Sequence, residues 1–432
     1  MLGINDKLRK RESEGKPIKV GMAGAAFIGK GMAAQLSVMH GMDLAAIADH
    51  NLAQAEEAFG LFGISREGII LTDQVGKAQD AITRGKKVIT ASYELLAQLQ
   101  ALDVVVDTTT SPRIGARVGL ACVKAGKDIV TLNIEADVTC GRILSRLAQR
   151  ARIIYTVSSG DEPGAIKELY DFVDGLGMIV VAAGKGKNNP LDREANPDTV
   201  ASEAAKDDMD PAHVASFFDG TKTMIEMATA ANGTGLYPEV RGMHGPQATV
   251  ATLSQVFCLK QEGGILTNRG VVDYSLGGDI APGVFVIGYT ENKHIRRDLA
   301  YLKFGKGPNY AFCRPYHLWF IEAPLSVARA VIDREKVIIS LDEPAAEVVA
   351  VAKKDLSPGE MLDGIGGFTT YGIIDRAKDA KDSGLLPIGL AEGARVLRSV
   401  GKGGMITYKD VELPENEAVV ILRRLQDLET GR

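Results

Sequence analysis

The chain has 432 residues, of which 45% are hydrophobic and 24% charged, a composition that is typical of globular domains and argues against wholesale disorder. Its 50 basic and 55 acidic side chains give a formal net charge of −5, so no general attraction for nucleic acid or an anionic membrane is expected. Four cysteines without a C-x-x-C spacing suggest neither a zinc site nor a disulfide framework. Mixed charges near the start and the lack of a long apolar run predict a cytoplasmic protein without a membrane span.

The first part of the chain alternates short β-branched runs with helical stretches. Runs of strand length occur at Ile18–Ala23, Leu44–Ala48, Val104–Asp107, Ile129–Leu132 and Ile153–Val157, and helical patterns at Ile28–His40, Arg113–Lys124 and Gly141–Arg150. This repetition predicts parallel pairing with right-handed crossovers. We therefore expect an α/β fold that opens with a Rossmann domain, a doubly wound parallel sheet, over residues 1–158, with a mixed insertion at 66–99.

The rest of the chain predicts two further domains. Residues 159–345 indicate an α+β domain, with a strand at Met178–Ala183, a polar loop at Gly184–Pro197 and helices at Ile166–Leu176, Ala212–Ala231 and Pro324–Ile332. Residues 346–432 indicate a small β-rich module of short strands separated by glycine and proline turns. Its candidate strands are Val348–Ala352, Leu385–Leu390, Ala394–Leu397 and Ala418–Leu422.

A dinucleotide fingerprint joins the first strand to the first helix. Its candidate cofactor-binding residues are Gly24, Ala25, Ala26, Phe27, Ile28 and Gly29, with Ala26 in place of the usual middle glycine. Gly24 would permit a tight turn, Gly29 would let the helix pack closely on the strand, and the free amides of the helix would bind a pyrophosphate. The alternative is a glycine-lined turn that only packs the helix against the strand.

Asp49 ends the second strand, twenty residues after Gly29, where a carboxylate would bind the adenine ribose. A carboxylate repels a 2′-phosphate and so favours NAD over NADP, and of the two nearby cations, His50 and Arg66, neither is an obvious phosphate clamp. Further cofactor contacts are expected where the third and fourth long strands end, from Thr108, Thr109, Thr110, Asn133 and Glu135. Helix capping by Ser111 and contact with solvent would explain such polar residues equally simply.

Two lysines alternate with glycines in the segment Gly184–Pro190. Lys185 and Lys187 there would bind a phosphate or a developing oxyanion, with Asn188 and Asn189 as substrate contacts. A solvated turn is the alternative. Asp219 and Lys222 are further catalytic candidates, although Asp219 could cap a helix and Lys222 could pair with Glu226 on its surface.

Glycine- and proline-flanked segments supply the remaining candidates. Arg241, His244, Arg314, Tyr316 and His317 are candidate substrate-binding residues, since such loops often carry function. Asp161 and Glu162 form a carboxylate pair that would suit a divalent ion, or else belong to an ordinary turn.

These motifs resemble homoserine dehydrogenase-related oxidoreductases. Gly160-Asp-Glu-Pro163 stands where that family has a glycine-glycine-x-proline turn, and Gly184-Lys-Gly-Lys-Asn-Asn189 stands at its substrate loop. Ala352-Lys-Lys-Asp-Leu-Ser-Pro-Gly359 and Gly389-Leu-Ala-Glu-Gly393 resemble a SAF (antifreeze-like, carbohydrate-associated) module. Together the three parts resemble the 1-deoxy-D-xylulose 5-phosphate reductoisomerase-like (DXR-like) family.

That resemblance implies a dimeric enzyme that reduces and isomerises a phosphorylated sugar in isoprenoid synthesis, with NADPH and Mg²⁺ or Mn²⁺, and a role in dimerisation for residues 159–345. NADH stays open because of Asp49. In this reading Lys185 and Lys187 hold the phosphate and polarise the carbonyl, and a metal stabilises the rearranging oxyanion. Alternatives are a homoserine dehydrogenase-like alcohol or polyol dehydrogenase without rearrangement, and a nucleotide- or carbohydrate-binding protein without catalysis.

Overall fold

In a computed structural model, which describes residues 3–429, the chain divides into two compact units. The first unit holds residues 3–161, 318–339 and 414–429, and the second holds residues 162–317 and 340–413. Each unit is thus discontinuous in sequence. The three-domain division expected from the sequence stays a prediction.

The helices and strands are numbered in chain order. The helices are α1 (Ile4–Ser13), α2 (Phe27–Ser37), α3 (Leu52–Leu61), α4 (Val75–Thr83), α5 (Tyr93–Gln98), α6 (Pro112–Ala125), α7 (Ile134–Ala136), α8 (Arg142–Ala151), α9 (Glu162–Gly175), α10 (Ala201–Lys206), α11 (Pro211–Phe218), α12 (Thr221–Thr234), α13 (Leu253–Val256), α14 (Lys293–Tyr301), α15 (Trp319–Ile332), α16 (Ala377–Asp382) and α17 (Ala418–Glu429). The strands are β1 (Ile18–Ala23), β2 (Met42–Ala48), β3 (Ile69–Leu71), β4 (Lys87–Thr90), β5 (Val104–Asp107), β6 (Asp128–Thr131), β7 (Tyr155–Val157), β8 (Ile179–Lys187), β9 (Tyr237–Pro238), β10 (Val271–Leu276), β11 (Val284–Tyr289), β12 (Asn309–Arg314), β13 (Ala346–Ala352), β14 (Thr370–Arg376), β15 (Arg395–Val396) and β16 (Val411–Glu412). None of the helices within residues 3–429 has the length and apolar character that a bilayer crossing needs.

The first unit confirms the predicted Rossmann sheet. Within the described residues its seven strands are all parallel, in the order β3-β4-β2-β1-β5-β6-β7. β5 and β6 are buried throughout, as expected for β-branched strands covered by helices on both faces. The strand order reverses between β1 and β5, so the ligand crevice of this fold is expected at their carboxyl ends. The insertion at residues 66–99 supplies β3 and β4, which extend one side of the sheet.

The strand predicted at Ala418–Leu422 is wrong, because this segment begins the helix α17 in the first unit. Its β-branched run suggested a strand, but the buried positions recur at helical spacing through Val419, Leu422, Arg423 and Gln426. Arg423 Nη1 and Gln426 Nε2 donate to the carbonyl oxygen of Thr139, at 3.3 and 3.4 Å. Contacts across the fold therefore outweigh the local strand propensity.

The second unit contains a five-stranded mixed sheet within the described residues, in the order β12-β11-β8-β10-β9. β8 lies between β10, which is parallel to it, and β11, which is antiparallel. It runs on to Lys187, so the loop predicted from Gly184 is wrong over its first four residues. The glycines there serve close packing: a Cβ on Gly184 would lie 2.1 Å from the Asp273 carbonyl oxygen, and one on Gly186 would lie 2.3 Å from the Ala281 nitrogen.

The β-rich stretch after residue 345 forms two small antiparallel ribbons, β13–β14 and β15–β16. The amide of Gly372 in β14 donates to Thr221 Oγ1 at 2.7 Å, which ties the ribbon to the start of α12. This stretch up to residue 413 is therefore part of the second unit. Its assignment as a SAF module stays a prediction.

Candidate functional site

The turn between β1 and α2 has the shape that the glycine pattern predicts. Gly24 has φ +97°, a left-handed conformation that glycine adopts without a Cβ penalty. A Cβ on Gly29 would lie 2.4 Å from the Gly24 carbonyl oxygen, so only glycine lets the helix approach this closely. Ala26 is exposed and extended just before α2 begins at Phe27, whereas Ala25 and Ile28 are buried. The first amides of α2, which have no acceptor within the helix, therefore lie at an open turn that suits a pyrophosphate.

Asp49, at the carboxyl end of β2, anchors this turn. Its side chain is buried, and Oδ2 accepts a hydrogen bond from the Ala25 amide at 2.7 Å while Oδ1 accepts one from the Asn51 amide at 2.8 Å. The exposed ring of His50 lies with Nδ1 3.3 Å from Asp49 Oδ1. The carboxylate therefore shapes the loop, a role that the sequence did not reveal. Its contact with a ribose stays a prediction.

Thr108 joins the ends of two neighbouring strands at the predicted crevice. Its Oγ1 donates toward the carbonyl oxygens of Ala23 and Gly24, both at 2.9 Å, and so ties the end of β5 to the turn after β1. Ser111 Oγ accepts from the Ile114 amide at 3.4 Å, which is the capping role considered from the sequence. Thr108 therefore stabilises the turn between β1 and α2, and its contact with a cofactor stays a prediction.

The other polar residues at these strand ends form a buried network. Asn133 Nδ2 donates to Thr109 Oγ1 at 2.9 Å, and Thr109 Oγ1 donates to Asp107 Oδ1 at 2.6 Å. Burial raises the pKa of Asp107 to about 7, and the hydrogen bonds from Thr109 oppose this shift only partly. Thr110 is half-buried and Glu135 is buried. This network fixes the carboxyl edge of the sheet, and cofactor contact by these residues stays a prediction.

Buried lysines and glutamates lie together in the second unit. We call Lys185, Lys187, Lys222, Glu162 and Glu226 the lysine–glutamate cluster; each is at most 8% exposed. Lys185 and Lys187 share one face of β8 because alternate residues of a strand point the same way. Lys185 Nζ is paired with Glu162 Oε1 and, at 2.5 Å, with Glu226 Oε2.

Charge and burial act in opposite directions within the lysine–glutamate cluster. Burial alone would lower the pKa of Lys185, but the carboxylates of Glu162 and Glu226 outweigh it and hold that pKa above its usual range. Burial, with a smaller effect of Glu162, raises the pKa of Glu226. Lys185 is therefore a fixed cation whose charge two carboxylates neutralise.

Lys187 has a different environment from Lys185. Its Nζ donates to the carbonyl oxygen of Phe217 at 2.7 Å, a neutral partner. Burial and the adjacent charge of Lys185 lower the pKa of Lys187 to about 8. Lys187 can therefore exchange a proton near neutral pH, as a general acid or base must. Lys222 is buried on the first turn of α12, and its charge opposes the rise in the pKa of Glu226 that burial causes.

Asp219 has structural partners on both carboxylate oxygens. Oδ1 accepts from the Thr221 amide at 2.8 Å, although the N-cap residue of α12 is Gly220 and not Asp219, and Oδ2 lies 2.8 Å from Lys353 Nζ. Both side chains of this ion pair are almost fully buried. Lys353 also donates to the carbonyl oxygens of Ala195 at 2.5 Å and Gly367 at 2.7 Å. Asp219 is thus a positioning residue in the structure, and its catalytic role stays a prediction.

Of the two metal candidates, Asp161 closes the first unit and Glu162 opens the second. Within the second unit His317 Nε2 lies 3.6 Å from Glu162 Oε1, while its Nδ1 lies 2.6 Å from the Pro282 carbonyl oxygen. Imidazole and carboxylate are metal-ligand types, so these two side chains fit part of a divalent site. The pairing of Glu162 with Lys185 competes with that use.

The remaining candidates have partners outside the lysine–glutamate cluster. Arg241 Nε donates to Asp375 Oδ2 at 2.7 Å, and Arg314 Nη1 lies 3.4 Å from Glu168 Oε2 with its guanidinium over the ring of Tyr316. These contacts occupy the side chains without excluding a substrate. Asn188 is exposed and Asn189 half-buried, just beyond the end of β8.

His244 pairs with a carboxylate that the sequence did not single out. Its Nδ1 lies 2.7 Å from Asp273 Oδ2, and this hydrogen bond raises the pKa of His244 despite partial burial. Sequence reasoning also missed Lys353, and it treated Glu226 only as a helix-surface partner. The i,i+4 spacing from Lys222 was the one signal for Glu226, and it gave no indication of burial.

Two family models match consecutive parts of the chain. Residues 24–157 match the family model described as homoserine dehydrogenase, NAD binding domain, and residues 160–323 match the model described as oxidoreductase DRL, catalytic domain. No curated protein matches the chain. Neither family model describes a SAF module, and the DXR-like assignment as a whole stays a prediction.

Solved structures of other oxidoreductases are distantly similar. A probable dehydrogenase from Thermotoga maritima is 14% identical, with 75% of this chain and 91% of that chain covered at a TM-score of 0.41. A putative myo-inositol dehydrogenase from Sinorhizobium meliloti 1021 is 15% identical, with 73% and 89% covered at a TM-score of 0.40. TM-scores this low carry no inference about this chain.

Residues 24–157 and residues 160–323 thus each match a domain model of an oxidoreductase, and the first unit has the parallel sheet and glycine turn of a dinucleotide fold. The chain is an NAD(P)-dependent oxidoreductase.

Proposed function

We propose that the chain is a dehydrogenase that interconverts an alcohol group of a polyol or homoserine-like substrate and the corresponding carbonyl, without rearrangement of the carbon skeleton. The observation that carries this proposal is the environment of Lys187. Its pKa is lowered to about 8, and its partner is a neutral carbonyl oxygen. A buried lysine of this kind suits the one proton transfer that alcohol–carbonyl interconversion requires.

When bound, the nicotinamide cofactor donates or accepts the hydride at the reacting carbon. In the reductive direction the Lys187 ammonium gives its proton to the oxygen of the nascent alkoxide, and the alcohol forms. In the oxidative direction the neutral Lys187 amine removes the hydroxyl proton as the hydride leaves the carbon. Lys185 does not take this role, because its ion pairs with Glu162 and Glu226 hold it as a permanent cation.

The two ion pairs of Lys185 favour an uncharged hydroxyl substrate over a phosphate ester. A phosphate group would need cations that are not already neutralised, and Lys185 is paired with two buried carboxylates. Glu162 and Glu226 would also repel a phosphate dianion at short range. Reductoisomerase activity on 1-deoxy-D-xylulose 5-phosphate is therefore the less favoured function, and the substrate panel described below tests for it.

NAD(H) is the cofactor that we propose in preference to NADP(H). The Asp49 carboxylate is buried and held by two backbone amides, so it cannot turn away from a ligand at the end of β2. A fixed negative charge there repels a 2′-phosphate and accepts hydrogen bonds from a ribose diol. The NADPH preference implied by the family resemblance is therefore the less favoured reading.

A divalent ion is compatible with the second unit without being required by the chemistry above. Glu162 and His317 would be two of its ligands, and Asp161, the preceding residue in the chain, is the further carboxylate that the sequence offers. Such an ion would polarise a carbonyl oxygen. Activity that survives EDTA treatment would remove the metal from the proposal and leave the role of Lys187 intact.

The decisive experiment measures turnover of the full chain on a substrate panel. The panel contains polyols and homoserine with NAD⁺ and NADP⁺, and 1-deoxy-D-xylulose 5-phosphate with NADPH and Mn²⁺, with products identified by mass spectrometry and NMR. We expect NAD⁺-dependent oxidation of a polyol or amino alcohol. Formation of a rearranged, reduced sugar phosphate with no alcohol oxidation would contradict the proposal.

Lys187→Met tests the proposed proton transfer. We expect kcat to fall by about 100-fold or more, since general acid–base catalysis contributes on the order of 10²–10⁴. Lys206→Met, in which an exposed lysine of the same unit is replaced, is the matched control and should leave kcat unchanged. Equal activity of the two variants would exclude Lys187 as the proton-transfer group.

A further inference from the structure

Three aromatic side chains pack together in the first unit beside the cofactor turn. We call Phe27, Trp319 and Phe320 the aromatic cluster. The ring centroids of Phe27 and Trp319 are 6.3 Å apart, and Phe320 lies 5.7 Å from each of them. All three side chains are only half-buried. Phe27 is the first residue of α2, so the cluster begins where the proposed pyrophosphate site ends.

The backbone holds Trp319 in an unusual conformation. Its φ is +22°, a value that a bulky L-residue rarely adopts, that costs free energy and that persists only where neighbouring contacts hold it. The Trp319 amide donates to the Gly160 carbonyl oxygen at 2.9 Å. Gly160 has φ +90°, and a Cβ there would lie 2.6 Å from the Trp319 carbonyl oxygen. Two unusual backbone conformations thus place one indole ring.

Phe320 anchors the same cluster to α2. A Cβ on Gly31 would lie 2.3 Å from Phe320 Cε2, so a glycine inside the helix makes room for this ring. Glycine in a helix interior costs about 1 kcal/mol of helix stability relative to alanine. The packing of the Phe320 ring against α2 offsets this cost at Gly31. The aromatic cluster is therefore fixed from α2 and from α15 together.

The position of the cluster identifies the half of the dinucleotide that it would meet. Asp49, at the end of β2, marks the adenine ribose side of the sheet. Gly160 follows β7, on the opposite side of β1 in the strand order β2-β1-β5-β6-β7. A dinucleotide whose pyrophosphate lies at the start of α2 would extend its nicotinamide toward the β7 side.

We infer that Trp319 contacts the nicotinamide ring of the bound cofactor and orients it, as a positioning residue of the oxidoreductase. Phe27 and Phe320 pack against the indole and restrict its position. A half-exposed indole offers a flat apolar surface and fits a planar pyridinium, with which aromatic and cation–π attraction are favourable. This inference rests on cofactor binding to the first unit, which the proposed function also requires.

The chain contains one tryptophan, so its fluorescence reports this site alone. The test titrates wild-type protein with NAD⁺ and with ADP-ribose, which lacks the nicotinamide, and measures binding of both by calorimetry. Neither probe absorbs where tryptophan emits, so quenching requires contact or a local rearrangement, in contrast to energy transfer to NADH. We expect both to bind and NAD⁺ alone to quench strongly.

Equal quenching by the two probes would overturn the inference, because the indole would then respond to the ADP-ribose half. Binding of NAD⁺ without quenching would also overturn it and leave the proposed function standing. The absence of heat with any oxidised or reduced cofactor would contradict both.

Trp319→Leu gives a second measurement that does not depend on fluorescence. We expect its Kd for NAD⁺ to rise about tenfold, the factor of one aromatic contact, with the Kd for ADP-ribose unchanged. Phe172→Leu, at an exposed aromatic of the second unit, is the matched control and should change neither. A parallel loss of affinity for both ligands would indicate a merely structural role for Trp319.

Discussion

Replacement of Lys353 by methionine tests a buried ion pair of the second unit. Lys353 Nζ lies 2.8 Å from Asp219 Oδ2 and donates to the carbonyl oxygens of Ala195 and Gly367. The side chains of Lys353 and Asp219 are 3% and 0% exposed. Methionine fills nearly the same volume as lysine but carries no charge. The Asp219 carboxylate then stays buried without the Lys353 ammonium, while its hydrogen bond from the Thr221 amide remains.

The expected cost follows from the burial of the carboxylate. Removal of one partner of a buried pair costs about 3–5 kcal/mol, because the remaining charge is left uncompensated. Asp219→Asn in the same chain should return part of that cost, since a neutral amide oxygen can still accept from the Thr221 amide. We therefore expect Lys353→Met to lower the free energy of unfolding by about 4 kcal/mol, and the double variant to lose about 2 kcal/mol less than the sum of the single variants.

The assay is urea unfolding of the full chain, followed by far-UV circular dichroism and by the fluorescence of the single tryptophan. Trp319 lies in the first unit, so its signal distinguishes destabilisation of the second unit from collapse of the whole chain. Lys354→Met is the matched control, because the adjacent Lys354 is half-exposed and pairs with Glu360 at the surface. Surface pairs of this kind contribute only about 0–1 kcal/mol.

Equal destabilisation by Lys353→Met and Lys354→Met would refute the reasoning, as would strict additivity in the double variant. The same proteins also decide the role of Asp219. If Asp219 only positions α12, the double variant should keep a kcat within a few-fold of the Lys353→Met variant. A loss of kcat much larger than that, in a folded protein, would restore Asp219 as a catalytic residue.

Three further predictions follow from the charges of the two units. Because burial lowers the pKa of Lys187 to about 8, the rate of carbonyl reduction should be constant below pH 8 and fall above it. The rate of alcohol oxidation should instead increase as the pH rises through 8. An identical pH profile in the Lys187→Met variant would contradict this prediction. Asp49→Asn removes a charge that repels a nearby 2′-phosphate by about 1–4 kcal/mol. The ratio of kcat/KM for NADP(H) to that for NAD(H) should therefore rise about tenfold or more. An unchanged ratio would mean that the 2′-phosphate of NADP(H) does not lie near Asp49. Burial raises the pKa of Asp137 from 3.8 to about 7, so the folded state binds a proton at this carboxyl group more tightly than the unfolded state does. The stability that protonated Asp137 contributes at low pH is therefore lost as the pH rises through 7. Asp137→Asn, which keeps an oxygen for the Tyr155 hydroxyl, should reduce the loss of unfolding free energy between pH 4 and pH 8 by up to about 4 kcal/mol in denaturation curves, and parallel curves would exclude the group.

The Rossmann sheet could be predicted from the sequence because the patterns that indicate it lie within short stretches of the chain. Buried parallel strands are continuous apolar runs, and the turn after β1 needs glycine at Gly24 and Gly29 for steric reasons that act within a few residues. The two short strands β3 and β4 escaped the same reasoning because three or four residues carry too little periodicity.

The candidate site of the second unit could be predicted in composition but not in arrangement. Lys185 and Lys187 were recognised as functional candidates, but their glycine neighbours suggested a loop, whereas close backbone packing of β8 against β10 explains the glycine at 184. Whether a lysine is a solvated cation or a proton-transfer group depends on its burial and on its partners. Lys185 and Glu226 are 41 residues apart, so no local pattern reveals their contact.

The amino-acid sequence by itself determined the parallel sheet and the dinucleotide turn, because each depends on short-range steric and periodic constraints. The oxidoreductase class followed from the resemblance of its motifs to known families. Tertiary structure alone decided which carboxylates neutralise Lys185, why Lys187 has a lowered pKa, and that α17 returns to the first unit. The physical reason is that desolvation and ion pairing depend on groups brought together by folding. Such groups lie far apart along the chain, and their effect on charge exists only once water has been excluded.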